Sequence, residues 1–232
     1  MLAICCAARI QTEPDDIEWI IKVIQDDLEV PMCIDSVNPE AQRAGLSVHR
    51  HGRALVNSTT GEVPVMNTML PLVKEYNAQV VALLHDEKGM PATIEDRLIV
   101  IPKILEYSEG YGIAQHDIYA DNLVFCLSVL DTNPEIYLKS LQAVKKRYPE
   151  LQTICGLNNI SFGLPQEELL NQAFLVMCAA YGQDAVLIDI TKESSAMIWA
   201  MKALLGKDYF SMKYLDAFRR GKLDIFKAAC VS

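Results

Sequence analysis

Short, almost wholly apolar runs alternate along this chain with longer stretches whose apolar residues recur at helical spacing. The short runs are Leu2–Ala7, Met32–Asp35, Ala54–Asn57, Gln79–Leu84, Ile118–Asp121, Thr153–Leu157 and Ala185–Asp189. They do not alternate apolar with polar, so they read as strands covered on both faces, the situation of a parallel sheet. Between them, Asp15–Leu28 places Ile17, Ile20, Ile21, Ile24 and Leu28 at helical spacing. Pro39–Val48 begins after Asn38, a capping residue, with proline at the first helical position. Further helices are predicted over Pro64–Tyr76, Thr93–Tyr111, Pro134–Tyr148, Glu167–Tyr181 and Ser194–Leu205. A polar, amphipathic stretch, Tyr209–Ala229, closes the chain. Trp19, Trp199 and the tyrosines at helical spacing are assigned to packing.

Seven strands, each followed by a helix and centred ~22–38 residues apart, form a series of βα units. No linker, low-complexity tract or shift of composition interrupts the series, so residues 1–232 are expected to be a single domain. Two α/β architectures fit, an open doubly wound sheet and a (β/α)8 barrel. The first usually carries a glycine-rich turn after its opening strand, and no G-x-G-x-x-G occurs here. The barrel is favoured, one strand short.

Charge and cysteine content narrow the function. Twenty-one Lys and Arg against 30 Asp and Glu leave a net charge of −9, the wrong sign for binding a phosphate backbone. Lys145-Lys146-Arg147 reads as a solvated helix end. No apolar run approaches the ~20 residues that span a bilayer, and the opening residues lack the basic flank of a secretory signal. Seven cysteines, at 5, 6, 33, 126, 155, 178 and 230, lie scattered without a C-x-x-C, which points to a reducing compartment, the cytoplasm, and away from a zinc site. The N-x-S/T matches at Asn57 and Asn159 are then not glycosylation sites.

The strand ends carry the chemistry. Ile34 is followed by Asp35, Val56 by Asn57, Leu84 by His85-Asp86, Ala120 by Asp121, Leu157 by Asn158-Asn159 and Ile188 by Asp189. Six apolar strands thus deliver acids or amides to their C-terminal ends, where barrel active sites are built. Any one of these residues would serve as a helix cap, but local propensity does not favour all six. No strand-end lysine offers a Schiff base, no glycine-rich cradle offers a phosphate site, and His85 alone makes no metal centre. His49 and His51 are assigned to solvated surface at the opposite end. A pocket of acids and amides suits a flat heterocycle with a donor/acceptor edge, and a purine, a pterin or a flavin-like ring fits equally.

At these same positions the sequence resembles the pterin-binding (β/α)8 methyltransferases. The matching stretches are Cys33-Ile34-Asp35-Ser36, Ala41–Gly45-Leu46, Val56-Asn57-Ser58-Thr59, Lys88-Gly89-Met90-Pro91 and Ile118-Tyr119-Ala120-Asp121. After these come Gly156–Pro165 and Leu170–Leu175. The methyltetrahydrofolate:corrinoid protein methyltransferases are most similar, with the folate domain of methionine synthase and dihydropteroate synthase as relatives. The resemblance implies that Asp35, Asn57 and Asp121 hydrogen-bond a pterin ring; Asp86, where an asparagine is usual, is expected to join them, and Asp189, at the end of the last strand, is expected either to line the pocket or to cap a helix. Asn159 matches the amide near N5, so the resemblance implies a catalytic role for it. The cofactor chemistry implied is a methyl group exchanged between methyltetrahydrofolate and a corrinoid (cobalamin) carried by a separate partner protein, with no metal bound by this chain. A dihydropteroate synthase is disfavoured, because its Ser-Arg-Lys type motif is replaced by Gly156-Leu157-Asn158-Asn159.

The chain departs from the family pattern at its start. No counterpart to the first strand and helix is seen, and Ala3-Ile4-Cys5-Cys6-Ala7 stands where Asp-x-Asn-x-Gly is usual. Glu167 replaces an arginine and Asp86 an asparagine. A barrel short of a strand exposes two sheet edges. Pairing with a second copy, as a homodimer, is one expected answer, and a weakly binding or non-catalytic truncated remnant is the alternative.

Overall fold

The protein is described from a computed structural model, over residues 1–7 and 11–223. Six strands, β1 (Leu2–Ile4), β2 (Met32–Asp35), β3 (Leu55–Thr60), β4 (Gln79–Leu83), β5 (Ile118–Asp121) and β6 (Gln152–Ile154), form one sheet. All neighbours pair in parallel, and the order in space is the order in sequence. A doubly wound sheet reverses its strand order at a switch point. This sheet never does, which is the winding of a (β/α)8 barrel.

Helices fill the connections, as the periodicity predicts: α1 (Glu13–Asp27), α2 (Pro39–Val48), α3 (Val63–Glu75), α4 (Ile94–Gly110) and α5 (Asn133–Arg147). Local chemistry sets their starts. The Asn38 side chain accepts the Glu40 N–H at 3.0 Å, and Thr93 and Asp96 form a reciprocal capping box at the start of α4. The helices bury one apolar face against the sheet, joining Ile17 and Ile21 of α1 to Ile34, Val56, Val80 and Ala120 of the strands. Gly45 allows the closest approach of α2: a Cβ there would lie 2.7 Å from Ile34 Cδ1 and 2.8 Å from Ile17 Cγ2.

The chain divides into two compact units, Met1–Leu123 with Glu135–Cys155, and Val124–Pro134 with the residues from Gly156 onward. In the second unit, a 3-10 turn at Leu157–Ser161 packs on α6 (Glu167–Ala180), α6 on α7 (Lys192–Leu204), and α7 on α8 (Met212–Arg219).

Three expectations are corrected. β3 continues past Asn57 to Thr60, with a register irregularity between Asn57 and Thr59. The expected strand Ala185–Asp189 shrinks to a single parallel bridge between Leu187 and Gly156. The 3-10 turn that starts at Leu157 takes its partner out of extended conformation, leaving one ladder bond, Leu157 N–H to the Leu187 carbonyl at 2.9 Å. Trp19 is 65% exposed on α1 instead of packed, because Ile17 and Ile21 define the buried stripe and Trp19 falls on the opposite side. The closing stretch begins with a 3-10 turn at Tyr209–Ser211 and continues as α8; its last residues, 224–229, and Cys230 lie outside the described residues.

Candidate functional site

Strand pairing determines which polar side chains share a face. Ile34, Val56, Ala82 and Ala120 belong to the helix-covered core, so their strand neighbours Asp35, Asn57, Leu83 and Asp121 project from the opposite face. Asp35 is registered against Asn57, and Leu83 against Asp121. The first unit therefore gathers Asp35, Asn57 and Asp121 on one sheet face, toward the C-terminal ends of β2, β3 and β5. Asp35 and Asn57 are half-buried, and Asp121 is buried.

Their surroundings set their charge. Burial pushes the Asp121 carboxyl up to about 6, opposed by the Leu123 N–H and by the Arg97 guanidinium; the Leu123 N–H donates to Asp121 Oδ1 at 2.7 Å. Burial, and then the Glu13 carboxylate, raise Asp35 above the usual carboxylate range. Carboxylates held in a partly desolvated face are acceptors that gain most from an N–H donor, since a hydrogen bond to the charged form offsets the desolvation.

Polar residues on the helices support this face. Glu13, on the same stripe of α1 as Ile17 and Ile21, is buried and accepts the Ser36 hydroxyl at 2.6 Å. Arg97, 1% exposed on α4, donates from Nε to the Asn122 carbonyl at 2.6 Å and from a terminal nitrogen to the Thr93 carbonyl at 2.8 Å. Gln42, fully buried on α2, donates to the carbonyls of Ile34, Ser36 and Asn57. The strand-end pattern missed all three. The signal was present: each polar residue sits among apolar residues at i±3 or i±4, as Glu13 does with Ile17, Gln42 with Leu46 and Arg97 with Ile101.

The other sequence candidates fall elsewhere. Asp86 lies beyond β4 in a turn, where its carboxylate accepts the Lys88 N–H at 3.0 Å, and it lines a recess of about 180 Å³ with His85, Gly89 and Met90. In the second unit, Asn159 is exposed in the 3-10 turn. Asn158, next to it, donates from Nδ2 to Asp189 Oδ2 at 2.8 Å, while its Oδ1 is buried with no partner among the described residues. Asp189 thus orients a carboxamide that the sequence reading left without a role. His49 is not plain surface: half-buried at the opposite end of β2, its Nε2 accepts the Met32 N–H at 3.3 Å. Burial lowers its pKa, which keeps that nitrogen an acceptor. Among the described residues, no group of three or more His, Cys, Asp or Glu is placed to hold a metal ion, and no helix is long and apolar enough to cross a membrane.

Comparison with known proteins adds three findings. A family model described as pterin binding enzyme matches residues 6–189. In sequence, the chain is 31% identical over 223 residues to a methylcorrinoid:tetrahydrofolate methyltransferase of Eubacterium limosum, covering 95% of this chain and 82% of that protein. It is also 31% identical over 175 residues to the methionine synthase of Mycobacterium leprae, covering 70% of this chain but 14% of that protein. In structure, it superimposes with a TM-score of 0.67 on the 7,8-dihydropteroate synthase of Vibrio fischeri, at 16% identity and over 87% and 77% of the two chains. A dihydropteroate synthase of Yersinia pestis bound to a pterine-sulfa conjugate gives 0.66 at 14% identity, over 87% and 79%.

Proposed function

The chain belongs to the pterin-binding enzyme family, and from that premise we propose that it moves a methyl group between N5 of methyltetrahydrofolate and the cobalt of a corrinoid carried by a separate protein. The observation that carries this reading is the match over 95% of the chain to a relative named for that transfer. The dihydropteroate synthases, at 16% and 14% identity, share the fold alone.

The donor set fits a pterin. The amino-pyrimidine edge of that ring offers N–H groups, and the Asp35 and Asp121 carboxylates are acceptors for them. Asn57 supplies both a donor and an acceptor from the register position beside Asp35. Asp86 stays in its own recess in this reading, and Asp189 acts in the second unit by orienting Asn158. The corrinoid, when bound, supplies the cobalt that takes or gives the methyl group.

This chain's own task is to make N5 a tolerable leaving group. A tertiary amine nitrogen leaves poorly until it is protonated or strongly hydrogen-bonded. Asn159 is assigned to donate its amide N–H there, through a bond that strengthens as electron density builds on N5. Such a contact favours the transition state over the bound substrate. The protein acts as a homodimer in the cytoplasm in this reading, with the corrinoid protein as its partner.

Isothermal titration of methyltetrahydrofolate into the purified chain, followed by turnover with a reduced corrinoid protein, tests the reading. Binding with turnover is expected. Binding without turnover points to a non-catalytic pterin-binding remnant, and no binding removes the proposal. Asn159→Ala should lower the rate per bound complex about 100-fold, the loss of one oriented donor (~2.7–4 kcal/mol), while the dissociation constant changes little. If affinity collapses and the rate per complex survives, Asn159 binds the ring and does not assist at N5.

A further inference from the structure

Gln42 occupies an unusual position for an amide. It is completely buried on α2, and three main-chain carbonyls converge on its nitrogen: Ile34 at 2.9 Å, Ser36 at 2.9 Å and Asn57 at 3.0 Å. Only the NH2 end of the group can face three carbonyl oxygens, so the chemistry of its neighbours determines which way the amide points. Its two hydrogens are shared among three acceptors. The Oε1 on the other side is buried without a partner among the described residues, so its lost hydration is not made up. A leucine or methionine would fill this space without that cost.

The three carbonyls bracket the functional face. Ile34 and Ser36 flank Asp35, and the third belongs to Asn57 itself. One further bond crosses the same place, Ser36 N–H to the Asn57 carbonyl at 2.9 Å. This is where β2 ends, and just beyond it β3 shifts its register against β4, between Asn57 and Thr59. Asp35 and Asn57 are the last registered pair of β2 and β3, so no later ladder pair reinforces the spacing of the two strands there.

We propose that Gln42 is a positioning residue: its buried amide holds the end of β2 against β3 and so sets the spacing between the Asp35 carboxylate and the Asn57 carboxamide. In consequence it acts on ring affinity without touching the ring. The consequence for affinity rests on the pterin reading above, whereas the clamp itself does not.

The test compares the wild-type chain with Gln42→Met, which keeps length and removes the donors. Ala41→Gly, a core change on the same helix that leaves the three carbonyls untouched, serves as the control for general loosening. Two quantities are measured: amide hydrogen exchange at Ser36 in the ligand-free chain, by NMR, and the dissociation constant for methyltetrahydrofolate, by titration calorimetry. Gln42→Met is expected to speed Ser36 exchange at least tenfold relative to Ala41→Gly, and to weaken binding about tenfold where the control weakens it less than threefold. If Ser36 exchange is the same in both variants, the clamp is refuted whatever the ligand does. Faster exchange with unchanged affinity refutes the positioning role. If the wild type binds no methyltetrahydrofolate while exchange still separates the variants, the clamp stands and the pterin reading falls.

Discussion

Asp121 is the side chain on the inner face that costs most to keep ionised. Its carboxyl is raised from 3.8 to about 6, and a group raised in the folded state stabilises the fold only while it is protonated. That contribution is complete below pH ~4 and is lost as pH rises through about 6. A shift of about two units amounts to roughly 3 kcal/mol forgone at neutral pH. Asp121→Asn keeps an oxygen for the Leu123 N–H, so at pH 7.5 it should be at least as stable as wild type, by up to roughly 3 kcal/mol, with the difference vanishing toward pH 4. Chemical denaturation of both proteins between pH 4 and 8 checks this. The same variant should bind methyltetrahydrofolate at least tenfold more weakly, and wild-type affinity should fall as pH drops below 6 and the acceptor is protonated. A variant that is both less stable and equally tight-binding would mean that the carboxylate is structural.

At the scale of elements, α1, α2 and β2 meet at Gly45, where two general tendencies oppose each other. Alanine is about 1 kcal/mol better than glycine inside a helix. Overpacking a buried contact costs about 1–3 kcal/mol, and a new Cβ here would approach Ile34, Ile17 and Ile21, all fully buried, at 2.7, 2.8 and 3.1 Å. Packing should win. Gly45→Ala is expected to lower stability by about 1–2 kcal/mol, read as a lower urea midpoint at unchanged slope. A stabilised variant would show that the helix can move away freely. Element by element, much of this was legible beforehand. α2 matches the predicted Pro39–Val48 at both ends, and β2 and β5 match their predicted runs, because proline, asparagine and short apolar runs ending in an acid act locally. The weak seventh strand was not legible. Its residues are as apolar as a strand requires, and only the conformation of its partner at Leu157 limits it to one bridge.

Over the whole molecule, the sheet has an exposed beginning. β1 pairs only with β2 among the described residues, and beside it in sequence α1 presents Trp19 and Val23 to solvent. An unpaired edge and exposed apolar side chains each favour association with another chain. Size-exclusion chromatography with light scattering is expected to give about twice the 25.9 kDa chain mass. Replacing Trp19 with glutamate should shift that mass toward the monomer. A monomer at every concentration would mean that the edge needs no partner.

Sequence alone determined the alternation of strands and helices, the helix starts and the residue types at the strand ends, since periodicity and caps depend on neighbours three or four positions apart, whereas the order of strands in the sheet came from the fold. Tertiary structure decided which acids share a face. Asp35, Asn57 and Asp121 are joined by strand register, whereas Asp86 is drawn into its own turn and Asp189 is engaged by Asn158. It also decided which polar residues on helices reach the strand ends: Glu13, Gln42 and Arg97 look like interruptions of an apolar stripe until their carbonyl and hydroxyl partners, up to 25 residues away, are in place. Hydrogen bonds between groups so far apart in sequence leave no periodic trace, and only the folded chain brings donor and acceptor within 3 Å.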